Sequence, residues 1–319
     1  MNLKPLSHTV KLAGLALAAA AASPQALAQW TITTLDRPNA SGTVLWGINN
    51  QSQIVGNDSQ GAFLYDNGSY TSLTGPAGNL GVTALGISNS GVVVGAWSGS
   101  DGARHGYLYS QGTYTSWDLP LANTTNTEIR GISLDGRYIA GTFMAAGSSL
   151  LSGFLYDQVT GGLNAITQAN RSVILQGSSS IGFTAGSARG PDKYALLAYP
   201  GGSATSYPTF PGVPDTPALR GYNNADYGSG WVNVSGGTSA IFGSIVHGYS
   251  YSLLSVPLAV SSVGEGLNDN NWVVGGYTDA SGVGHGFLAT PVPEPGTAWM
   301  WLGAAAGLLG LRRRPDAER

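Results

Sequence analysis

The chain has 319 residues, 48 glycines and no cysteine, and its 14 Lys and Arg and 17 Asp and Glu residues make up only 10 % of it. The missing cysteines exclude disulfides, thiolate metal sites and a cysteine nucleophile. A formal charge of −3 argues against nucleic-acid binding. The 42 % hydrophobic content argues against disorder, because such a chain can bury apolar surface when it folds.

Residues 1–28 have the pattern of a secretory signal peptide. Lys4 and Lys11 supply positive charge, residues 12–22 are apolar, and Ala26 and Ala28 place small residues at alternating positions. We therefore expect signal peptidase to cleave after Ala28. The alternative is an N-terminal membrane anchor, but the apolar run is short for one.

Residues 29–290 contain six copies of one unit, and each copy has two glycines nine or ten residues apart. The first glycines are spaced 39, 45, 46, 44 and 45 residues apart: Gly47, Gly86, Gly131, Gly177, Gly221 and Gly266. The second glycines are Gly56, Gly95, Gly141, Gly186, Gly230 and Gly275. An aromatic residue follows in copies one, two, three and six (Phe63, Tyr107, Phe154 and Phe287), whereas copies four and five are degraded.

Each copy contains about four short runs of strand-forming residues separated by turn-forming residues. Four strands in about 45 residues are typical of one propeller blade. The sequence therefore predicts an all-β, six-bladed β-propeller, with a β-solenoid or a sandwich as the competing architecture. The repeated glycines are interpreted as allowing positive φ in tight turns and close approach of backbones near the axis.

The sixth copy lacks its last strand, since it reaches Ala289 and then meets Pro291. Residues 30–35 match that strand in composition and length. We expect this N-terminal strand to pair with the last blade and close the ring, which would protect the edges of both terminal blades.

The units also resemble the HAF repeats of extracellular repeat proteins, whose consensus runs Gly-Ile-Asn, Val-Val-Gly and then His-Ala-Phe-Leu. The residues that carry this resemblance are Gly47-Ile48-Asn49, Val93-Val94-Gly95, His105-Gly106-Tyr107-Leu108 and His285-Gly286-Phe287-Leu288. The resemblance implies a topology and an extracellular location, but no activity.

The C-terminal residues 291–319 have a different pattern. Pro293, Glu294 and Pro295 precede an apolar segment at 296–311, and three basic residues follow it: Arg312, Arg313 and Arg314. Sixteen helical residues reach about 24 Å, somewhat less than the roughly 30 Å hydrocarbon core of a bilayer. The pattern predicts a short transmembrane helix whose arginines stay in the cytoplasm.

This tail resembles the PEP-CTERM sorting signal, in which a Pro-Glu-Pro motif, a short transmembrane helix and a basic end follow in that order. The resemblance implies recognition by an exosortase, an inner-membrane intermediate, and release to the cell surface or extracellular matrix of Gram-negative bacteria that make exopolysaccharide. Pro293, Glu294 and Pro295 would then be recognition residues. The alternative is a protein retained in the membrane by a single span.

The sequence offers little catalytic chemistry, and we predict no catalytic residue, cofactor or metal site. His105 and His285 occupy the same repeat position, which favours a structural role, and no zinc-ligand spacing occurs. Residues 268–271 resemble a calcium loop, but they lack its alternating acids and terminal Glu, so a turn is predicted there.

Two functional hypotheses remain. The first is a non-catalytic binding or structural module that contacts extracellular polysaccharide through aromatic residues such as Trp97, Trp117, Trp231 and Trp272, although core packing explains these equally well. The second is a carbohydrate-active enzyme, a glycosidase or a lyase. It depends on Glu128 and Glu265, which are expected to precede the first strands of blades three and six and to face each other across the axis.

Overall fold

A computed structural model describes residues 29–190, 194–202, 204–207, 217–244 and 251–292. These residues form 24 β-strands in six four-stranded antiparallel sheets, and no helix occurs among them. The prediction of an all-β, six-bladed propeller is confirmed. The helix predicted at 296–311 lies outside the described residues.

The blades are numbered in chain order. Blade 1 contains β2 (Val44–Ile48), β3 (Ile54–Asp58), β4 (Gly61–Asp66) and β5 (Ser69–Ser72). Blade 2 contains β6 (Val82–Ile87), β7 (Val93–Ser98), β8 (Arg104–Ser110) and β9 (Thr113–Trp117). Blade 3 contains β10 (Thr124–Ile132), β11 (Tyr138–Ala145), β12 (Leu151–Asp157) and β13 (Leu163–Ile166).

The degraded copies four and five also form four-stranded blades. Blade 4 contains β14 (Ser172–Ser178), β15 (Thr184–Arg189), β16 (Tyr194–Ala198) and β17 (Thr205–Tyr207). Blade 5 contains β18 (Ala218–Tyr222), β19 (Tyr227–Val234), β20 (Gly237–Ser244) and β21 (Tyr251–Leu253). Blade 6 contains β22 (Ala259–Leu267), β23 (Val273–Asp279), β24 (Gly284–Pro291) and β1 (Trp30–Thr34).

The first glycine of each copy lies on the first strand of its blade, where that strand approaches the next blade. A Cβ on Gly47 would lie 2.9 Å from the Gly86 Cα, and one on Gly131 would lie 1.7 Å from the Gln176 backbone oxygen. A Cβ on Gly266 would lie 3.1 Å from the Gly47 Cα, so the contacts continue from blade 6 back to blade 1. Only glycine permits this spacing around the axis.

The second glycine lies on the second strand and is covered by the residue paired with it on the third strand. Phe63 pairs with Gly56 and Phe287 pairs with Gly275 in this way. A Cβ atom added to either glycine would clash with the phenylalanine ring and with the backbone of the first strand. At Gly275, for example, it would lie 2.0 Å from Val263 O. The close-approach interpretation is therefore confirmed. The positive-φ interpretation is wrong for these positions, because none of the twelve repeat glycines has positive φ.

Hydrophobic clusters of the described residues lie at each interface between neighbouring blades. Between blades 2 and 3, for example, Val94 packs with Ile129 and Phe154. Between blades 6 and 1, Val274 packs with Leu45 and Phe63. The core is thus a ring of inter-blade layers, which requires every blade to have two neighbours.

The N-terminal strand completes blade 6 as its fourth, outer strand. β1 pairs antiparallel with β24, from Trp30 opposite Pro291 to Thr34 opposite Phe287. The Trp30 ring packs edge-on against Phe242 of blade 5, with centroids 4.9 Å apart. The predicted closure is confirmed, and β24 extends to Pro291, one residue past the expected end of the repeats.

The antiparallel order gives the propeller two faces. The upper face is the one that carries the turns between the second and third strands and the connections between blades. The lower face carries the turns between the first and second strands and between the third and fourth strands. On the lower face, Asn50 N donates to Asn89 Oδ1 (2.9 Å), and Asp269 N donates to Asn50 Oδ1 (3.0 Å). Val292 N donates to Gln29 O (2.7 Å), so both ends of the described chain meet at the lower face.

Candidate functional site

A small cavity of about 40 Å³ lies on the propeller axis. The residue that immediately precedes the first glycine lines it in five blades: Trp46, Leu85, Arg130, Gln176 and Glu265. The residue after that glycine, farther toward the lower face, is apolar in four blades: Ile48, Ile87, Ile132 and Leu267. The cavity therefore combines charged and polar groups toward the upper face with an apolar lower part. Its opening toward the upper face is called the axial opening below.

Glu265 is buried at this cavity and is held by two side chains. Arg220 Nε lies 3.2 Å from Glu265 Oε2, and Gln176 Nε2 donates to the Glu265 backbone oxygen (3.0 Å) and to Oε2 (3.3 Å). Burial lowers the pKa of Arg220 to about 10; Glu265 opposes this shift, whereas Arg130 and Arg189 add to it. Arg220 therefore stays charged at neutral pH, and three arginines influence one another around the axis.

Arg130 connects the axis to a second acidic side chain. Its Nη1 donates to Glu128 Oε2 (2.9 Å), and Glu128 also pairs with Arg104. The Arg130 guanidinium carbon lies 5.6 Å from the Trp46 ring centroid, so the cation packs on an aromatic face across the opening. This arrangement fixes the position of both side chains.

A groove of about 220 Å³ between blades 6 and 1 adjoins the axial cavity. The two share Trp46 and Glu265, and the groove is also lined by Ser261, Ser262, Tyr277 and Thr278. Aromatic faces beside hydroxyl and carboxylate groups can stack on a sugar ring and bond to its hydroxyls. The groove therefore has the size of a site for a small ligand, and its lining is mainly apolar with a few hydroxyl groups.

The two repeat-position histidines lie on the upper face, and neither lines the axial cavity or the groove. His105 Nδ1 lies 2.9 Å from Asp118 Oδ2 and its Nε2 lies 3.2 Å from Asp101 Oδ2, while its ring stacks on Trp97 with centroids 4.6 Å apart. Burial lowers the pKa of His105, but the carboxylates of Asp118 and Asp101 outweigh it, so the pKa is raised. We call this arrangement the Asp–His–Asp clasp.

Blade 6 repeats the clasp. His285 Nδ1 lies 2.7 Å from Asp36 Oδ2, its Nε2 lies 3.5 Å from Asp279 Oδ2, and its ring stacks on Tyr277. The hydrogen bond from Asp36 raises the pKa of His285 despite some burial, and Asp279 adds to the effect. Both histidines therefore hold strands and turns together, as their repeat position predicts.

The two glutamates are not placed as expected. Glu128 and Glu265 lie within their strands rather than before them, and they differ in repeat position, three residues and one residue before the first glycine. Each is engaged by arginines, Glu128 by Arg104 and Arg130 and Glu265 by Arg220. The expected equal height of the two carboxylates is therefore wrong, because a shift of two residues along the first strand moves a side chain along the axis.

The four named tryptophans have packing roles. Trp97 stacks on His105, Trp117 lies against Phe154 (5.6 Å between centroids), and Trp272 packs on the core between blades 6 and 1. Trp231 lies under the Arg189 guanidinium at 5.7 Å. Sequence reasoning missed Trp46, Arg130, Gln176 and Arg220 as a group. The signal was present, since all four immediately precede the first glycine of their copies.

Residues 268–271 form the predicted turn between β22 and β23, with Asn268 Oδ1 accepting from Asn270 N and Trp272 N. No group of three His, Asp or Glu side chains suited to a metal ion occurs in the described ranges. None of the described residues belongs to a helix that could span a bilayer. The predicted processing residues lie outside these ranges: Ala26, Ala28, Pro293, Glu294, Pro295, Arg312, Arg313 and Arg314.

No protein family and no curated protein matches the chain by sequence. Several solved structures resemble it at low identity. TolB from Acinetobacter baumannii is 15 % identical, with a TM-score of 0.44 over 79 % of this chain and 64 % of that one. The β-propeller domain of the Trilobed protease from Pyrococcus furiosus is 7 % identical, with a TM-score of 0.43 over 79 % of this chain and 98 % of that domain.

Oligogalacturonate lyase from Vibrio parahaemolyticus is 10 % identical to the chain, with a TM-score of 0.44 over 82 % of this chain and 94 % of that one. This chain spans less than two thirds of the length of TolB. These similarities concern overall architecture and identify no function.

Proposed function

We propose that the chain is an exported, non-catalytic protein of the cell surface or extracellular matrix that binds extracellular polysaccharide. The observation that carries the proposal is the groove between blades 6 and 1, where the half-buried Trp46 lies beside the hydroxyls of Ser261 and Thr278 and the carboxylate of Glu265. Planar rings beside hydrogen-bonding groups suit sugars, which have both apolar ring faces and hydroxyls.

The direction of the chain supports this proposal. Val292 leaves the propeller at the lower face, whereas the axial opening and its arginines lie toward the upper face. A tail that follows Val292 into a membrane would place the lower face toward the bilayer. The axial opening would then point outward, where polysaccharide is.

The sequence supports the route to the surface. The pattern at 1–28 fits signal peptidase, and the tail from Pro293 to Arg314 fits an exosortase after a transient inner-membrane stage. Mass spectrometry of the protein recovered from the cell surface tests this route. We expect a mature chain that begins at Gln29 and lacks the basic end, whereas an intact Arg319 would contradict processing.

Binding to a panel of immobilised polysaccharides tests the function. We expect Trp46→Ala to weaken binding roughly tenfold, the equivalent of about 1.4 kcal/mol, through loss of stacking. Trp97→Ala is the matched control, because Trp97 stacks on His105 in blade 2 and lines neither the groove nor the axial cavity. Equal loss in both variants would contradict the assignment of the groove.

The same panel distinguishes binding from catalysis. Glu265→Gln keeps the shape of the side chain and removes its charge, so a binding module retains measurable affinity. Release of reducing or unsaturated sugar ends by the wild-type protein, lost in Glu265→Gln, would instead support a glycosidase or lyase.

A further inference from the structure

The axial opening has an excess of positive charge in an otherwise acidic module. Residues 29–290 contain 8 basic and 14 acidic residues, a balance of 8 − 14 = −6. Four arginines nevertheless cluster around this opening: Arg104, Arg130, Arg189 and Arg220. Among the described residues, Glu128 and Glu265 are the only carboxylates that pair with them there. Among the described residues, the aspartates that lie farther out on the upper face are held in the two clasps, or by Arg37 in the case of Asp58.

Arg130 has hydrogen-bonding capacity that the protein does not use. Its Nη1 donates to Glu128, whereas its buried Nε makes no hydrogen bond among the described residues, and none is formed by Nη2. Nε and Nη2 form the edge of a guanidinium that takes a carboxylate through two parallel hydrogen bonds. This edge therefore has the geometry for an anionic partner.

A second buried group at the same cavity also lacks a partner. Gln176 is 3 % exposed and lines the axial cavity, and its Oε1 accepts no hydrogen bond within the described ranges. A buried acceptor without a donor costs free energy, which a ligand hydroxyl would recover. Arg130 and Gln176 together thus offer donors to an anion and an acceptor to a neighbouring hydroxyl.

The size of the cavity limits what can enter it. Its volume of about 40 Å³ suits a carboxylate or a water or two, because one water occupies about 30 Å³ of liquid. The adjoining groove of about 220 Å³ is large enough for a bulkier part of the same ligand. Trp46 and Glu265 belong to both spaces and connect them.

We infer that the axial opening binds the carboxylate of an acidic saccharide, with Arg130 as the main anchor, Arg189 as an additional cation, and the sugar ring in the groove along Trp46. This inference rests on the proposed polysaccharide-binding function and specifies its ligand as a uronate-bearing polymer. Binding is salt-dependent, because Arg189 is exposed and its attraction for an anion is screened.

Calorimetric titration of the full-length protein tests the inference with two matched pairs of probes. D-Glucuronate is compared with D-glucose, and alginate with dextran, so that carboxylate is the main variable and monomer and polymer are tested separately. We expect the acidic probe to bind at least roughly tenfold more tightly in each pair. The difference should shrink as salt is raised from about 0.05 to 0.5 M.

Variants locate the site. Arg130→Gln should weaken binding of the acidic probes roughly tenfold or more, and Arg189→Gln should weaken it severalfold. The matched control is Arg137→Gln, because Arg137 pairs with Asp157 (2.7 Å) in a turn region of the lower face. Because Arg189 is exposed, Arg189→Gln folds even if Arg130→Gln does not. In that case the loss of affinity in Arg189→Gln and the salt dependence of binding together test the anion site.

The outcomes separate this inference from the proposed function. Equal binding of dextran and alginate, unaffected by Arg130→Gln and Arg189→Gln, would overturn the acidic-ligand inference and leave polysaccharide binding standing. Binding of D-glucuronate without binding of any polymer would support the anion site and contradict the polysaccharide function. Absence of binding to all four probes would overturn the inference.

Discussion

Blades 2 and 6 contain the same Asp–His–Asp clasp but assemble it from differently connected segments. In blade 2, Asp118 lies only 13 residues from His105, and the chain between them is a single hairpin. In blade 6, Asp36 lies 249 residues from His285, because it follows the N-terminal strand. The local geometry is thus the same whether or not the chain is continuous, and only in blade 6 does the clasp close the ring.

Connectivity changes what this clasp contributes. The entropic free energy of closing a loop grows with its length. Bringing together groups 249 residues apart in the unfolded chain therefore costs about 2–3 kcal/mol more than bringing together groups 13 residues apart. In the folded ring, the two residues after β1 add further contacts: Leu35 N donates to Gly286 O (2.9 Å), and Gly286 N donates to Asp36 Oδ1 (2.9 Å). Blade 6 therefore depends on interactions that blade 2 obtains from chain continuity.

Deletion of residues 30–35 should have the largest effect. It removes the outer strand of blade 6 and uncovers β24, so we expect loss of cooperative thermal unfolding, or aggregation through the exposed edge. Circular dichroism melts and light scattering measure this. A peptide of residues 29–37 added in trans should partly restore the transition, a scrambled peptide should not, and an unchanged melt after deletion would refute the role of β1.

Removal of each histidine tests the difference between the two blades directly. We expect His285→Ala to speed amide exchange across β1 roughly tenfold, because a charge-assisted hydrogen bond to Asp36 is lost from the closure. His105→Ala should change exchange in β9 less, since a short turn still joins β9 to β8. Native-state hydrogen exchange of both variants gives the comparison, and equal changes in β1 and β9 would show that connectivity is irrelevant.

The smallest expected effect is on the pH dependence of stability. Hydrogen bonding to Asp36 raises the pKa of His285, and Asp118 and Asp101 raise that of His105 against the effect of burial. A raised folded-state pKa stabilises the fold fully below the unfolded value of about 6.5, and this contribution is lost as pH rises through the folded value.

Carboxylates set the lower limit of the pH range in which the clasps stabilise the fold. Hydrogen bonds from Ser281 and Val283 lower the pKa of Asp279 to about 2, so its contribution is present above the unfolded value of 3.8 and is lost as the pH falls toward 2. We expect a higher melting temperature at pH 5.5 than at pH 8.5. The double variant His105→Gln, His285→Gln should flatten this slope, and an unchanged slope would exclude the clasps as its cause.

The sequence predicts the number of blades and the closing strand because both depend on local repetition. The paired glycines recur even in copies four and five, where Leu196 and Ile241 replace the aromatic residue opposite the second glycine. The closure is visible because one unit lacks a strand that residues 30–35 supply. Backbone angles are less predictable: glycine serves both positive φ and close approach, and the repeat glycines use only close approach.

The candidate site was much less predictable from sequence. Gln176 and Glu265 meet although they are 89 residues apart, and Arg130 of blade 3 packs on Trp46 of blade 1. Such contacts depend on the diameter of the ring and on bulges that shift the register of the first strands, as between Ile129 and Gly131. A repeat identifies equivalent positions, but it does not give distances across the axis.

The pairing of β1 with β24 also determines the order in which the molecule can mature. β1 is the first strand of the propeller to be synthesised, and its partner β24 is the last. Every other outer strand pairs with the strand that precedes it in the same hairpin. Blades 1 to 5 can therefore form during synthesis, whereas β1 stays unpaired until β24 has been made. Such a long-range contact slows folding. Chaperones that hold exposed strands would therefore act mainly on residues 30–34 and on the uncovered edge of β24.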